Sequence, residues 1–83
     1  MTYHLVVEVL PKDGMLDPQG DAVQASLAAL GFDQASAVRV GRLISLTVQA
    51  ASADQAVQLG EQMANALLAN PVMETYRLAV HAT

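Results

Sequence analysis

Val38-Arg39-Val40-Gly41-Arg42-Leu43-Ile44-Ser45-Leu46-Thr47-Val48 is the stretch on which the strand count of this chain turns. Val38 and Val40 alternate with Arg39, while Ile44, Leu46 and Val48 alternate with Ser45 and Thr47. Alternation of period two marks a half-buried strand. Gly41 lies between the two runs, and two arrangements keep the even positions on one face. A hairpin with its loop at Gly41–Leu43 pairs Val40 with Ile44 and Val38 with Leu46. A single strand bent at Gly41 reaches the same pattern without a turn. A tighter turn at Gly41-Arg42 is disfavoured, because it sets Arg39 opposite Ile44 on the apolar face. The hairpin is the expected form, and the bent strand stays open as the alternative.

Upstream, Asp17 and Pro18 open a helix. The carboxylate accepts orphan amide hydrogens and the fixed φ of proline suits the first turn. Val23, Leu27 and Leu30 recur on one side, and Gly31 supplies a left-handed end, so the helix is expected over 18–30. Downstream, Ser52 with Gln55 three residues on forms a capping box. Ala56, Leu59, Met63 and Leu67 give the second helix its apolar stripe. Gly60 on that helix costs roughly 1 kcal/mol against alanine and so signals a close approach. Asn70 is expected as a left-handed cap, with Pro71 just beyond.

The outermost segments are strands. Tyr3, Leu5, Val7 and Val9 alternate with His4, Val6, Glu8 and Leu10 until Pro11 ends the run. Glu74, Tyr76, Leu78 and Val80 share one face of the last strand, while Thr75, Arg77 and Ala79 look away. The order is β-α-β-β-α-β. It predicts an α+β two-layer sandwich of ferredoxin-like type, with two helices on one face of an antiparallel sheet. The other face then holds His4, Val6, Glu8, Leu43, Thr47, Thr75 and Arg77. That mixture is expected to form an interface between copies of the chain or with a larger partner.

Eighty-three residues make one domain, 1–83. A domain this small is marginal alone and commonly gains stability from staples or association. Cysteine is absent, which removes disulfides and thiol chemistry. Charged residues make up only 14% against 53% hydrophobic, so an apolar patch in need of a partner, and hence an oligomer, is expected. The four basic residues, Lys12, Arg39, Arg42 and Arg77, are scattered and the net charge is −4. No basic stripe exists for nucleic acid, and no apolar run approaches the ~20 residues of a membrane span. A cytoplasmic protein is expected.

No constellation for chemistry emerges. His4 and His81 become neighbours if the terminal strands pair, but a metal site needs three or four ligands. Asp13, Asp17 and Asp21 cluster at a helix start, where capping and the helix dipole explain them. The glycines form neither a phosphate loop nor a dinucleotide fingerprint, and no serine sits in a nucleophile elbow. No catalytic residue, metal or cofactor is therefore expected on this chain.

Six segments, taken in order, carry a resemblance. They are Val9-Leu10-Pro11-Lys12, Leu16-Asp17-Pro18-Gln19-Gly20, Ala29-Leu30-Gly31-Phe32, Val38-Arg39-Val40-Gly41-Arg42, Leu67-Leu68-Ala69-Asn70-Pro71-Val72 and Glu74-Thr75-Tyr76. Together, in a chain of this length, they resemble the PurS family, small accessory subunits of phosphoribosylformylglycinamidine synthase. One departure is the second helix, where Gln55, Gln58, Gln62 and Asn65 stand in place of the family's charges.

The resemblance implies a subunit without an active site in de novo purine synthesis. It implies a homodimer or dimer of dimers that bridges a glutaminase, PurQ, and a small-type synthetase, PurL, and supports passage of ammonia. ATP and magnesium belong to the assembled complex. The exposed parts of the resembling segments, Asp17, Gln19, Arg39, Arg42 and Asn70, are the expected partner-binding residues. The competing expectation is a ferredoxin-like regulatory domain that binds a small molecule.

Overall fold

The burial of Tyr3, Leu5, Val7 and Val9, each 5% exposed or less, places their strand at the centre of the molecule. The computed structural model describes residues 1–82. Strand β1 (Thr2–Pro11) pairs antiparallel with β2 (Arg42–Gln49) on one side and with β3 (Glu74–Ala82) on the other. Leu5 faces Leu46 and Val80, and Val7 faces Ile44 and Leu78, so the inner faces of all three strands are in phase. The expected alternation of β1 and β3 is what the structure has.

The expected hairpin is absent, and so is the bent strand. The element order is β-α-β-α-β, with three strands among the described residues. Val38 to Gly41 lie outside the sheet, and β2 begins at Arg42 opposite Val9. The reason lies in where the backbone finds its partners. The Val38 amide donates to Gln24 Oε1 at 3.2 Å, and the Val40 amide donates to Asp17 Oδ2 at 2.9 Å. Side chains of the preceding helix thus take the amides that a fourth strand would have offered to a ladder. Ala37, at φ 54°, turns the chain into this path.

That preceding helix, α1 (Pro18–Ala29), has the expected start: Asp17 accepts from the Gly20 amide at 3.0 Å. Gly31 has φ 96°, the left-handed conformation anticipated at the helix end. Its position is not the expected one. α1 does not pack on the sheet, and Val23 and Leu30 remain exposed. It packs instead against the 32–40 segment: a Cβ at Gly20 would lie 2.6 Å from the Val38 carbonyl oxygen. The radius of gyration is 16.1 Å, against about 12 Å for a compact chain of this length. The expected α+β class, two helices with one antiparallel sheet, is what the structure has, with the second helix lying over the sheet and α1 reaching beyond it.

That cover is α2 (Ala53–Met63), capped by Ser52, whose hydroxyl accepts from the Gln55 amide at 3.2 Å. Gln55 Oε1 reaches back to the Ala51 amide, one residue before the cap position. The close approach signalled by Gly60 is real. It is buried, and a Cβ there would meet Leu78 Cδ2 at 2.8 Å and Leu5 Cδ1 at 3.3 Å. The stripe deviates at its end. Residues Ala64–Leu68 form a π-helical turn, closed by the Ala69 amide donating to the Ala64 carbonyl at 2.9 Å. A π turn inserts one extra residue into the helical face. Leu68 therefore turns inward, and Leu67, the stripe residue expected from a continuous α-helix, is 82% exposed. Asn70 is not a left-handed cap, since Ala37 is the one non-glycine residue with positive φ among those described. Its Oδ1 accepts from the Val72 amide at 3.0 Å, turning the chain toward β3.

Candidate functional site

The five expected partner-binding residues gather at one end of the sheet, where β1 finishes and β2 and β3 begin. They form two groups. Arg42 makes a two-pronged ion pair with Glu74, Nη1 to Oε2 at 2.7 Å and Nη2 to Oε1 at 2.9 Å, and Nη2 also donates to the Leu68 carbonyl at 2.7 Å. The Asn70 amide donates to Glu74 Oε1 at 2.8 Å. Arg42 therefore ties β2 to β3 and to the end of the π turn, and the planar guanidinium matches the carboxylate fork. Asp17 and Arg39 form the second group. Asp17 holds the start of α1 and the Val40 amide together, and Arg39 pairs with the exposed Asp13 at 3.1 Å. Gln19 is exposed on α1 beside them.

Residues 11–16 join the groups. A cleft of about 240 Å³ is lined by Leu16, Asp17, Asp21 and Arg39 among others, and a second, of about 250 Å³, by Asn70, Met73 and Glu74; both share Pro11, Met15 and Leu16. Lys12 pins this loop to the turn before β3, its Nζ donating to the Pro71 carbonyl at 2.8 Å and its amide to the Met73 carbonyl at 2.9 Å. Leu16 is 90% exposed at the rim.

Sequence reasoning passed over Glu74 as a partner. The signal was present: a carboxylate beginning the apolar face of Tyr76, Leu78 and Val80 needs a cation nearby, and β2 brings Arg42. Nothing in the alternation of residues 38–48 shows that Gln24 and Asp17 take up the amides of Val38 and Val40.

Two carboxyls here titrate low. Hydrogen bonds from Arg42, then from the Asn70 amide, hold Glu74 below its ordinary value of 4.5. Amide hydrogens of Gly20 and then Val40 do the same for Asp17, ordinarily 3.8. A carboxyl depressed on folding contributes stability above its unfolded value and loses it as pH falls through the folded one. The melting temperature is thus expected to stay level from neutral pH down to about pH 5 and to fall as the pH drops further and these carboxyls take up protons. Calorimetry across that range checks it, and Glu74→Gln should flatten the slope.

The site offers ion pairs, exposed amide and carbonyl groups, and an apolar rim. His4 and His81 do face each other across β1 and β3, with His4 Nε2 3.0 Å from Ser45 Oγ. No group of three metal-ligating side chains occurs among the described residues. None of the helices in the described residues is long and apolar enough to cross a membrane.

Residues 4–82 match the family described as PurS: Phosphoribosylformylglycinamidine (FGAM) synthase. The phosphoribosylformylglycinamidine synthase subunit PurS of a Synechocystis species is 41% identical over 81 residues, covering 98% of this chain and 81% of that protein. The structure of Thermus thermophilus PurS superposes with a TM-score of 0.87 at 38% identity, over 100% of this chain and 99% of that one. A chain of PurLQS from Thermotoga maritima shares the fold at a TM-score of 0.88 and 23% identity, over 98% of this chain and 99% of that one. The order of motifs along the sequence, the three-stranded sheet under one helix and these likenesses agree: the chain belongs to the PurS family of phosphoribosylformylglycinamidine synthase.

Proposed function

We propose that this chain serves as the non-catalytic PurS subunit of phosphoribosylformylglycinamidine synthase, docking PurQ against PurL as a homodimer or dimer of dimers. The observation that carries this reading is the family match across residues 4–82, and the assembly of a fold relative as PurLQS supports it. The complex converts formylglycinamide ribonucleotide and glutamine to the amidine with ATP. PurL binds ATP and magnesium and PurQ releases ammonia; this chain holds no cofactor. Free ammonia is protonated and lost in water, so docking raises the rate through proximity and exclusion of solvent. The setting is the cytoplasm, where the purine pathway runs.

Reconstitution with PurL and PurQ of the same organism tests the reading. Omitting the chain should lower glutamine-dependent amidine formation at least ~10-fold while leaving ammonia-dependent formation by PurL intact. An unchanged glutamine-dependent rate would sink it.

The grooved end around Asp17, Gln19, Arg39, Arg42 and Asn70 is the proposed contact with the larger subunits. Arg39 is the residue to test, because its ion pair with Asp13 lies at the surface and contributes little to stability. Arg39→Glu is expected to melt within about 2 °C of the parent and to bind its partners at least ~10-fold more weakly. Arg42→Glu is unsuitable, since it sets two carboxylates face to face at Glu74.

A further inference from the structure

Asp13 is the one aspartate in this chain that is followed by glycine. It sits in the loop that joins the two clefts, and it is open to attack from its own backbone. The Asp13 side chain is 98% exposed, and its ion pair with Arg39, at 3.1 Å, lies at the surface. Among the described residues no group accepts the Gly14 amide hydrogen. Gly14 has φ 83°, and nothing stands within 4 Å of the place a Cβ would take. The nitrogen that follows this carboxyl is therefore free of a hydrogen bond and uncrowded.

The other aspartates lack that combination. Asp17 precedes Pro18, whose nitrogen carries no hydrogen. Asp21 and Asp54 lie within α1 and α2, and the amide after Asp54 donates to Ser52 Oγ at 3.2 Å. Asp33 precedes Gln34, whose side chain crowds its own nitrogen.

We propose that Asp13–Gly14 converts spontaneously to an isoaspartyl linkage through a succinimide, and that this form undocks the chain from its larger partners until a carboxyl methyltransferase repairs it. The undocking rests on the docking end proposed above; the conversion does not. The Gly14 nitrogen attacks Cγ of the protonated Asp13 carboxyl. A C–N bond forms, and the hydroxyl leaves with the amide hydrogen as water. Water then opens the ring. Addition at Cγ returns aspartate, and addition at the backbone carbonyl leaves Gly14 joined through Cγ. One water is lost and one regained, and nothing is oxidised or reduced.

The isoaspartyl form adds one carbon to the main chain, about 1.5 Å. That length falls inside the turn which the Met15 amide closes on the Lys12 carbonyl at 3.2 Å. It also draws the carboxylate one bond closer to the backbone, away from Arg39. Lys12 is pinned to Pro71 and Met73, and Asp17 to Gly20 and Val40. The slack therefore appears between them, at Met15 and Leu16, which line both clefts.

The purified chain is held at 37 °C for several weeks. Isoaspartate is mapped by tandem mass spectrometry and by methyl transfer from labelled S-adenosylmethionine with an isoaspartyl carboxyl methyltransferase. It is expected at position 13 and not at Asp33. Asp13→Glu keeps the charge but must close a larger ring, and is expected to stay unlabelled. The aged parent is expected to keep its melting temperature and to bind PurL and PurQ at least ~10-fold more weakly than fresh chain, the cost of reordering a loosened loop. Methyltransferase treatment should restore its binding, and aged Asp13→Glu should bind as its own fresh sample does. Isoaspartate absent from position 13, or spread equally over the other aspartates, overturns the conversion. Full affinity of chain converted at position 13, or an equal loss in aged Asp13→Glu, overturns the undocking. Fresh chain that binds neither subunit removes the docking reading and the undocking with it, while the mass spectrum still decides the conversion.

Discussion

Leu5→Ala is expected to destabilise the protein by about 3 kcal/mol, within the range for deleting a fully buried leucine. Leu5 is fully buried on β1, flanked by Leu46 and Val80 across the sheet and touched from above by the helix at Gly60. No neighbour is placed to collapse into the space, because the backbone of α2 already rests on the sheet there. Domains have only about 5–15 kcal/mol of net stability, so a loss of this size leaves a sizeable unfolded fraction at 37 °C. Urea titration with the denaturant slope held constant measures it. A loss under 1 kcal/mol would mean that the core is not centred on β1.

Gly41→Ala is expected to lower the melting temperature by roughly 10 °C, the scale of a backbone overlap that must be relieved by moving a strand end. A Cβ at Gly41 would overlap the Val9 carbonyl oxygen and stand 2.9 Å from Leu10 Cδ2. Main chain cannot swing aside as a flexible side chain can, so β2 must lift from β1 where Arg42 opposes Val9. Gly14 supplies the control. It has φ 83° with nothing within 4 Å of an added Cβ, so Gly14→Ala meets only the left-handed backbone cost of about 1–2 kcal/mol. Thermal melts of the two variants separate steric overlap from backbone strain. Equal losses would remove the close approach at Gly41 as the cause. The glycine sits inside a resembling segment for this reason: it lets the chain pass over the end of β1 on its way into the sheet.

The ion pair beside it has a related role. Arg42 leaves Gly41 and immediately binds Glu74 and the Leu68 carbonyl. The first residue of β2 is thus clamped to the first residue of β3 and to the end of the π turn. This end of the molecule is held by polar contacts at its rim, whereas its body is held by apolar burial. Acid should loosen the rim first, which is the physical content of the pH dependence described above.

The strands β1 and β3 and the helix caps at Asp17 and Ser52 were legible in the sequence because each depends on neighbours a few residues away. Alternation sets which side chains of a strand share a face, and a cap needs an acceptor within one turn of the amides it serves. Family membership could be anticipated because the turns and caps that carry it stand in order along the chain. The strand count, the face presented by Leu67 and Leu68, and the stance of α1 were decided in three dimensions. Val38 and Val40 have the alternation of a strand, but their amides meet Gln24 and Asp17, fourteen and twenty-three residues away. Local pattern describes what a segment is able to bury; only the folded chain determines which acceptor reaches its backbone first.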